Sequence, residues 1–322
     1  MPSVSILIPA FRPTYLRQAI ASALTQGIED FEIIVSDDSA GPDIRPIVEQ
    51  FRDPRIRYVA TPGRLGDTGN CAFLWNEARY DLLAYLLDDD LLMPHGLAEM
   101  LVQAQARPDA SFYFGHRYII DAGGRVLSEP QFLASDVVAL DQARMAATLV
   151  GGVRNPVGEF SNILINRAAG VTADDFVRYM GIDMQVCGDV AFYLNATRVG
   201  PAIGIKRPVA AFRRHGQQQS SPSYNPMFAL GICEWELFIR GEYDAGRLPQ
   251  PLALAAIDKL DAAYANWGRD HPSIGMMTPG LKALRGRVAG GETGVLDEAF
   301  RVQWQTLVDT VRAQKAASLA GS

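Results

Sequence analysis

Up to about residue 114, apolar and polar positions follow two alternating rhythms. Short unbroken apolar runs at 4–8 (closed by Pro9), 31–35, 56–59, 82–87 and 111–114 have the length and β-branched content of buried strands. Between them, apolar residues return at helical spacing. Leu16, Ile20, Ala23 and Leu24 precede Gly27, and Ile44, Ile47, Val48 and Phe51 share one face. A third helix is predicted over 67–79, after a glycine-punctuated loop, and a fourth through Leu97, Met100, Leu101 and Ala104. Five such alternations predict right-handed crossovers and a mostly parallel sheet with helices on both faces. Ligands of such sheets bind beyond the carboxyl ends of the strands. Three of those ends carry polar or unusual residues: Pro9-Ala10-Phe11-Arg12, Asp37-Asp38 and Asp88-Asp89-Asp90. They are predicted to converge on one crevice.

From the turn signal Asp121-Ala122-Gly123-Gly124 to about residue 213 the pattern is less regular, with loops around Asn155-Pro156 and a helix near 189–196. Beyond Ser220-Ser221-Pro222 strand-like runs cease. Leu252, Ala255, Ala256, Leu260 and Ala263 keep helical periodicity, which predicts a linker near 216–226 and an α-helical C-terminal extension. Trp75 on the predicted third helix, and Trp235, Trp267 and Trp304 in the extension, are expected to be packing residues.

Composition narrows the function. With 322 residues, 48% of them hydrophobic, the chain can bury a full core, and its net charge of -6 argues against a nucleic-acid binder. The charge is uneven: residues 190–233 hold no Asp or Glu but include Arg198, Lys206, Arg207, Arg213, Arg214 and His215, a stretch suited to an anionic ligand. Cys71, Cys187 and Cys233 have neither disulfide-framework nor zinc-site spacing, so a reducing, cytoplasmic setting is expected. The start, Met1-Pro2-Ser3-Val4, lacks the charged and apolar regions of a signal peptide, and no run approaches the ~20 apolar residues of a membrane span. Peripheral membrane contact stays open.

The densest chemistry is the acidic turn. Three adjacent carboxylates inside apolar sequence repel and desolvate one another unless something positive joins them. Oxygen ligands in a short turn suit Mg²⁺ or Mn²⁺, with nucleotide phosphates completing the shell. The competing reading is a solvated turn that caps a helix begun by Pro94. Asp37, Asp38 and Asp189 have the same alternative as turn-formers or caps, Phe11 as a core residue, and His215 as an ordinary surface histidine.

These motifs, in this order, resemble the family 2 glycosyltransferases of the GT-A fold. The likeness covers roughly residues 3–220: the first strand with Pro9-Ala10-Phe11, Val35-Ser36-Asp37-Asp38-Ser39, the acidic turn with Met93-Pro94, Cys187-Gly188-Asp189-Val190-Ala191, and Arg213-Arg214-His215 with Ser220-Ser221. It implies a GT-A, Rossmann-like catalytic domain over 1–220, with a nucleotide-binding half (1–120) and an acceptor-binding half (121–220), then a helical extension over 221–322. It also implies an inverting transfer from a nucleoside-diphosphate sugar, UDP-type favoured, to a saccharide or lipid-linked acceptor in bacterial polysaccharide or glycolipid synthesis. Pro9, Phe11, Asp38 and Arg64 would hold the base or phosphate, Asp88 the ribose, Asp89 and Asp90 the Mn²⁺ or Mg²⁺, His215 the metal or phosphate, and Asp189 would be the general base. Where the family usually shows Asp-x-Asp, alignment through Met93-Pro94 puts Leu87 at the first acid, so Asp88-x-Asp90 competes with Asp88-Asp89. The extension is expected to pack on the catalytic domain and to support a homodimer. A sugar-phosphate nucleotidyltransferase lacks support because its glycine-rich basic signature is replaced by Pro9-Ala10-Phe11-Arg12. A non-catalytic nucleotide-sugar-binding protein is the remaining alternative.

Overall fold

The computed structural model describes residues 2–39, 41, 43–216, 218 and 227–320. Most of the linker expected near 216–226, with Ser220-Ser221, lies outside them. The chain forms two compact units: Met1–Asp141, Pro156–Val177 and Asn195–His215 make the first, and Gln142–Asn155, Arg178–Leu194 and Gly216–Ser322 the second.

The first unit is built on a mixed sheet. Its strands are β1 (Val4–Ala10), β2 (Phe31–Asp37), β3 (Ile56–Ala60), β4 (Leu82–Tyr85), β5 (Leu91–Leu92), β6 (Phe112–Ile120), β7 (Val126–Ser128), β8 (Val137–Leu140) and β9 (Ile163–Asn166). The last is β12 (Ala202–Arg213); β10 (Arg178–Tyr179) and β11 (Ile182–Asp183) form a separate ladder in the second unit. The order is β3-β2-β1-β4-β9-β6-β12-β5. Strands β1 to β4 pair in parallel, and β6 runs in their direction because β9 lies antiparallel between β4 and β6. Strand β12 then adds in parallel to β6 and carries the short antiparallel β5.

The apolar runs of β1 and β2 sit between helix layers, so Val4, Ile6, Ile8, Ile33 and Val35 are wholly buried. Helix α1 (Leu16–Leu24) lays Leu16, Ala19, Ile20 and Ala23 into that core. Each large aliphatic side chain buried this way contributes about 1.5–3 kcal/mol. Helices α2 (Ile44–Glu49), α3 (Gly66–Glu77), α4 (Gly96–Ala106) and α6 (Asp174–Val177) complete the unit. Helix α4 approaches β12 so closely that a Cβ on Gly96 would lie 2.6 Å from the Val209 carbonyl oxygen, which only glycine permits.

The second unit holds α5 (Gln142–Leu149), most of α7 (Gly188–Ala196), α8 (Phe228–Asp244), α9 (Gln250–Trp267), α10 (Thr278–Ala289) and α11 (Glu298–Ala320). Helix α8 is its core element, with Leu237, Phe238 and Ile239 fully buried and Phe238 edge-on to Tyr179. The helical extension is observed where periodicity placed it. No helix among the described residues is long and apolar enough to cross a membrane.

Candidate active site

In the first unit the strand ends meet as anticipated. The acidic turn follows β4, and Asp88 turns back to the loop after β1: one carboxylate oxygen accepts the amides of Phe11 and Arg12 at 2.7 and 2.8 Å. Burial, then the neighbouring charge of Asp89, pushes the Asp88 carboxyl up to about 6, while those amides oppose the shift. The Phe11 ring lies under two guanidiniums, Arg64 at 4.8 Å and Arg12 at 5.7 Å. Pro9 is within β1, in register with Ser36.

Asp38 closes a different loop, the one between β3 and α3 that carries Arg64. Its oxygens accept the Leu65 and Gly66 amides at 2.7 and 2.8 Å and the Thr61 hydroxyl at 3.0 Å, which satisfies donors at the start of α3. Capping and ligand binding are compatible, because Oδ2, which takes the Gly66 amide alone of these three donors, keeps a second lone pair. Asp37 instead binds Ser39 and the Tyr58 hydroxyl, fixing the end of β2.

Asp89 and Asp90 face different partners. Asp90 is fully buried; the Ser161 hydroxyl donates to one oxygen at 2.7 Å and the Arg213 amide to the other at 2.9 Å. Burial and the charge of Asp89 hold its carboxyl well above the ordinary range. Asp89 lies 2.9 Å from His215 Nε2, the two side chains being 16% and 9% exposed. Arg213, 1% exposed, holds this arrangement. Its guanidinium donates to the Asp89 carbonyl and the Gln18 amide oxygen, each at 2.8 Å, reaches the carbonyls of Asp121 and Ala122, and stacks over Tyr15. Tyr15, Gln18 and Ser161 escaped the sequence reading; the first two lie at the start of α1 and the third on a distant segment, with no motif joining them.

Asp189 belongs to the second unit, in the first turn of α7, where the helix dipole favours its charge. The Asn155 amide donates to it at 2.7 Å. The segment leading to it is clamped by buried Glu234 of α8, whose carboxylate accepts the amides of Gln185 (2.5 Å), Val186 (3.2 Å) and Cys187 (2.6 Å). The signal that could have revealed Glu234 is an acid set inside the apolar run of α8.

Among the described residues, no three His, Cys, Asp or Glu side chains are grouped to hold a metal by themselves. Asp89 with His215 fits another kind of site, in which Mg²⁺ or Mn²⁺ takes one or two protein ligands and the phosphates of a nucleotide supply the rest.

Comparison with known proteins gives the family and the fold. The family model described as "Glycosyl transferase family 2" matches residues 5–165. A GalNAc(5)-diNAcBac-PP-undecaprenol beta-1,3-glucosyltransferase of Campylobacter jejuni is 33% identical over 108 residues, 32% of this chain and 35% of that protein. The Escherichia coli UDP-Glc:alpha-D-GlcNAc-diphosphoundecaprenol beta-1,3-glucosyltransferase WfgD is 29% identical over 121 residues, 37% of this chain and 47% of its own length. The chain thus spans less than half of either relative. Among solved structures, Staphylococcus aureus TarS 1-349 superposes with a TM-score of 0.61 at 13% identity, covering 99% of this chain and 92% of that one, a likeness of fold. The same TarS fragment has been crystallised with UDP and with UDP-GlcNAc.

Proposed function

Because this chain belongs to family 2 of the glycosyltransferases, we propose that it moves a sugar from a UDP-type donor to a hydroxyl of a lipid-linked saccharide, in glycolipid or surface-polysaccharide synthesis. The observation that carries the reading is the Asp89–His215 pair, 2.9 Å apart, beside an acidic turn in which Asp90 and one oxygen of Asp88 are taken up by the chain's own donors. The names of the relatives support the donor and acceptor classes.

In this reading Phe11 and Arg64 offer a ring and a guanidinium to the base, and Asp38 accepts its N–H while still fixing the Leu65–Gly66 loop. Asp88 sets the Phe11–Arg12 backbone and faces the ribose. Asp89 and His215 would hold Mn²⁺ or Mg²⁺. When bound, such a cation supplies Lewis-acid stabilisation of the charge developing on the leaving diphosphate. Arg213 fixes the Asp89 backbone through its carbonyl. Asp189 takes the acceptor hydroxyl proton, a contribution of roughly 10² to 10⁴-fold, and attack opposite the leaving group inverts the anomeric carbon.

The test is UDP release from UDP-glucose, with and without GlcNAc-diphosphoundecaprenol and Mn²⁺. Acceptor-dependent, chelator-sensitive release that is lost in Asp89→Ala is expected. Release that persists undiminished in Asp89→Ala sinks the reading.

A further inference from the structure

The second unit contains a cavity of about 500 Å³ lined by none of the residues assigned to the transfer reaction. One face of α11, from Arg301 through Trp304 and Gln305 to Arg312, forms one wall, and the β10–β11 ladder with Arg178 and Asp183 forms the other. Its charge is out of keeping with an acidic protein: three guanidiniums stand against one carboxylate, on a chain of net charge -6. Arg178 pairs with Asp183 at 2.9 Å. Arg301 and Arg312 donate to neutral acceptors, the Met180 carbonyl at 3.3 Å and the Gln185 amide oxygen at 2.9 Å. Among the described residues neither has a carboxylate partner, so the cavity carries unbalanced positive charge.

Guanidiniums in a recess match the planar, bidentate geometry of phosphate oxygens. The volume is that of a small-molecule pocket, well beyond a bare ion. Trp304, 3% exposed, borders the cavity, and Gln185 and Gln305 contribute amides that both donate and accept, a lining suited to a hydroxylated ring and unsuited to an acyl chain. We propose that this cavity binds a phosphorylated saccharide, separately from the nucleotide.

Titration calorimetry on the full chain tests it, with glucose 6-phosphate, glucose, inorganic phosphate and phosphatidylglycerol vesicles as probes. Glucose 6-phosphate is expected to bind at least tenfold more tightly than glucose or inorganic phosphate. The double variant Arg301→Gln/Arg312→Gln is expected to weaken it about tenfold while leaving UDP affinity unchanged, which also shows that the variant is folded. The proposal is overturned by equal affinity for glucose, by phosphate binding as tightly as the sugar phosphate, by binding to vesicles alone, by no binding, or by an unaffected double variant. If UDP fails to bind the wild type while glucose 6-phosphate behaves as expected, the donor reading falls and this cavity stands.

Discussion

Helix α8 and the acidic turn both sink carboxylates into apolar surroundings, and they treat them differently. On α8 each acid is answered by the chain. Glu236 accepts Arg240 at 2.9 and 2.6 Å and Tyr264 at 3.1 Å; Glu242 accepts Tyr179 and Arg247, each at 2.6 Å; Glu234 takes three backbone amides. The acidic turn does the same for Asp88 and Asp90, yet sets Asp89 against an imidazole at 2.9 Å, a partner whose charge depends on its proton. A closed network holds a shape. Acceptor capacity left over in such a turn is what a ligand can use.

The sharpest way to break that contrast is Asp89→Ala, expected to lower kcat by on the order of 10³-fold with a melting temperature within a few degrees of wild type, as removal of a charge-stabilising group does. Arg240→Ala should do the reverse. It strands the buried Glu236 carboxylate, whose proton affinity burial already raises, and should cost about 3 kcal/mol in urea denaturation while activity per folded molecule is kept. Glu234→Gln lies between the two. Exchanging an acceptor-only group for an amide should cost about 1–2 kcal/mol and lower kcat roughly tenfold with the donor KM unchanged, if the clamp positions Asp189. The smallest effect concerns His116 of β6, buried with both ring nitrogens unpaired among the described residues and its pKa lowered by burial. Between its folded pKa and the ordinary 6.5 the unfolded chain binds the extra proton, so stability present above 6.5 declines as pH falls through that window. His116→Leu should flatten the slope of unfolding free energy against pH there.

Strands β1 to β4 were legible because each is a continuous apolar run between turn residues, a pattern that needs no partner to be recognised. Strand β12 was not. Lys206-Arg207-Pro208 interrupts its apolar pattern, and the register with β6 slips at that point, so it is a strand only because β6 and β8 pair with it. The site divides likewise. The acids of the turn stood out as adjacent charges in apolar sequence, and the family resemblance supplied Phe11, Asp38 and Asp189. What separates Asp89 from Asp90 was invisible, because it rests on Ser161 and Arg213, which lie 71 and 123 residues from Asp90. Glu234 was missed for the same reason, its clamp reaching 47 to 49 residues back.

The antiparallel insertion of β9 also governs how the protein must be made. Until residues 163–166 leave the ribosome, β4 has a bare outer edge and β6 lacks both of its long-range neighbours, the second of which, β12, follows only at 202–213. The nascent chain therefore carries sticky, half-finished strands through much of its synthesis, and expression fragments cut before residue 163 should precipitate.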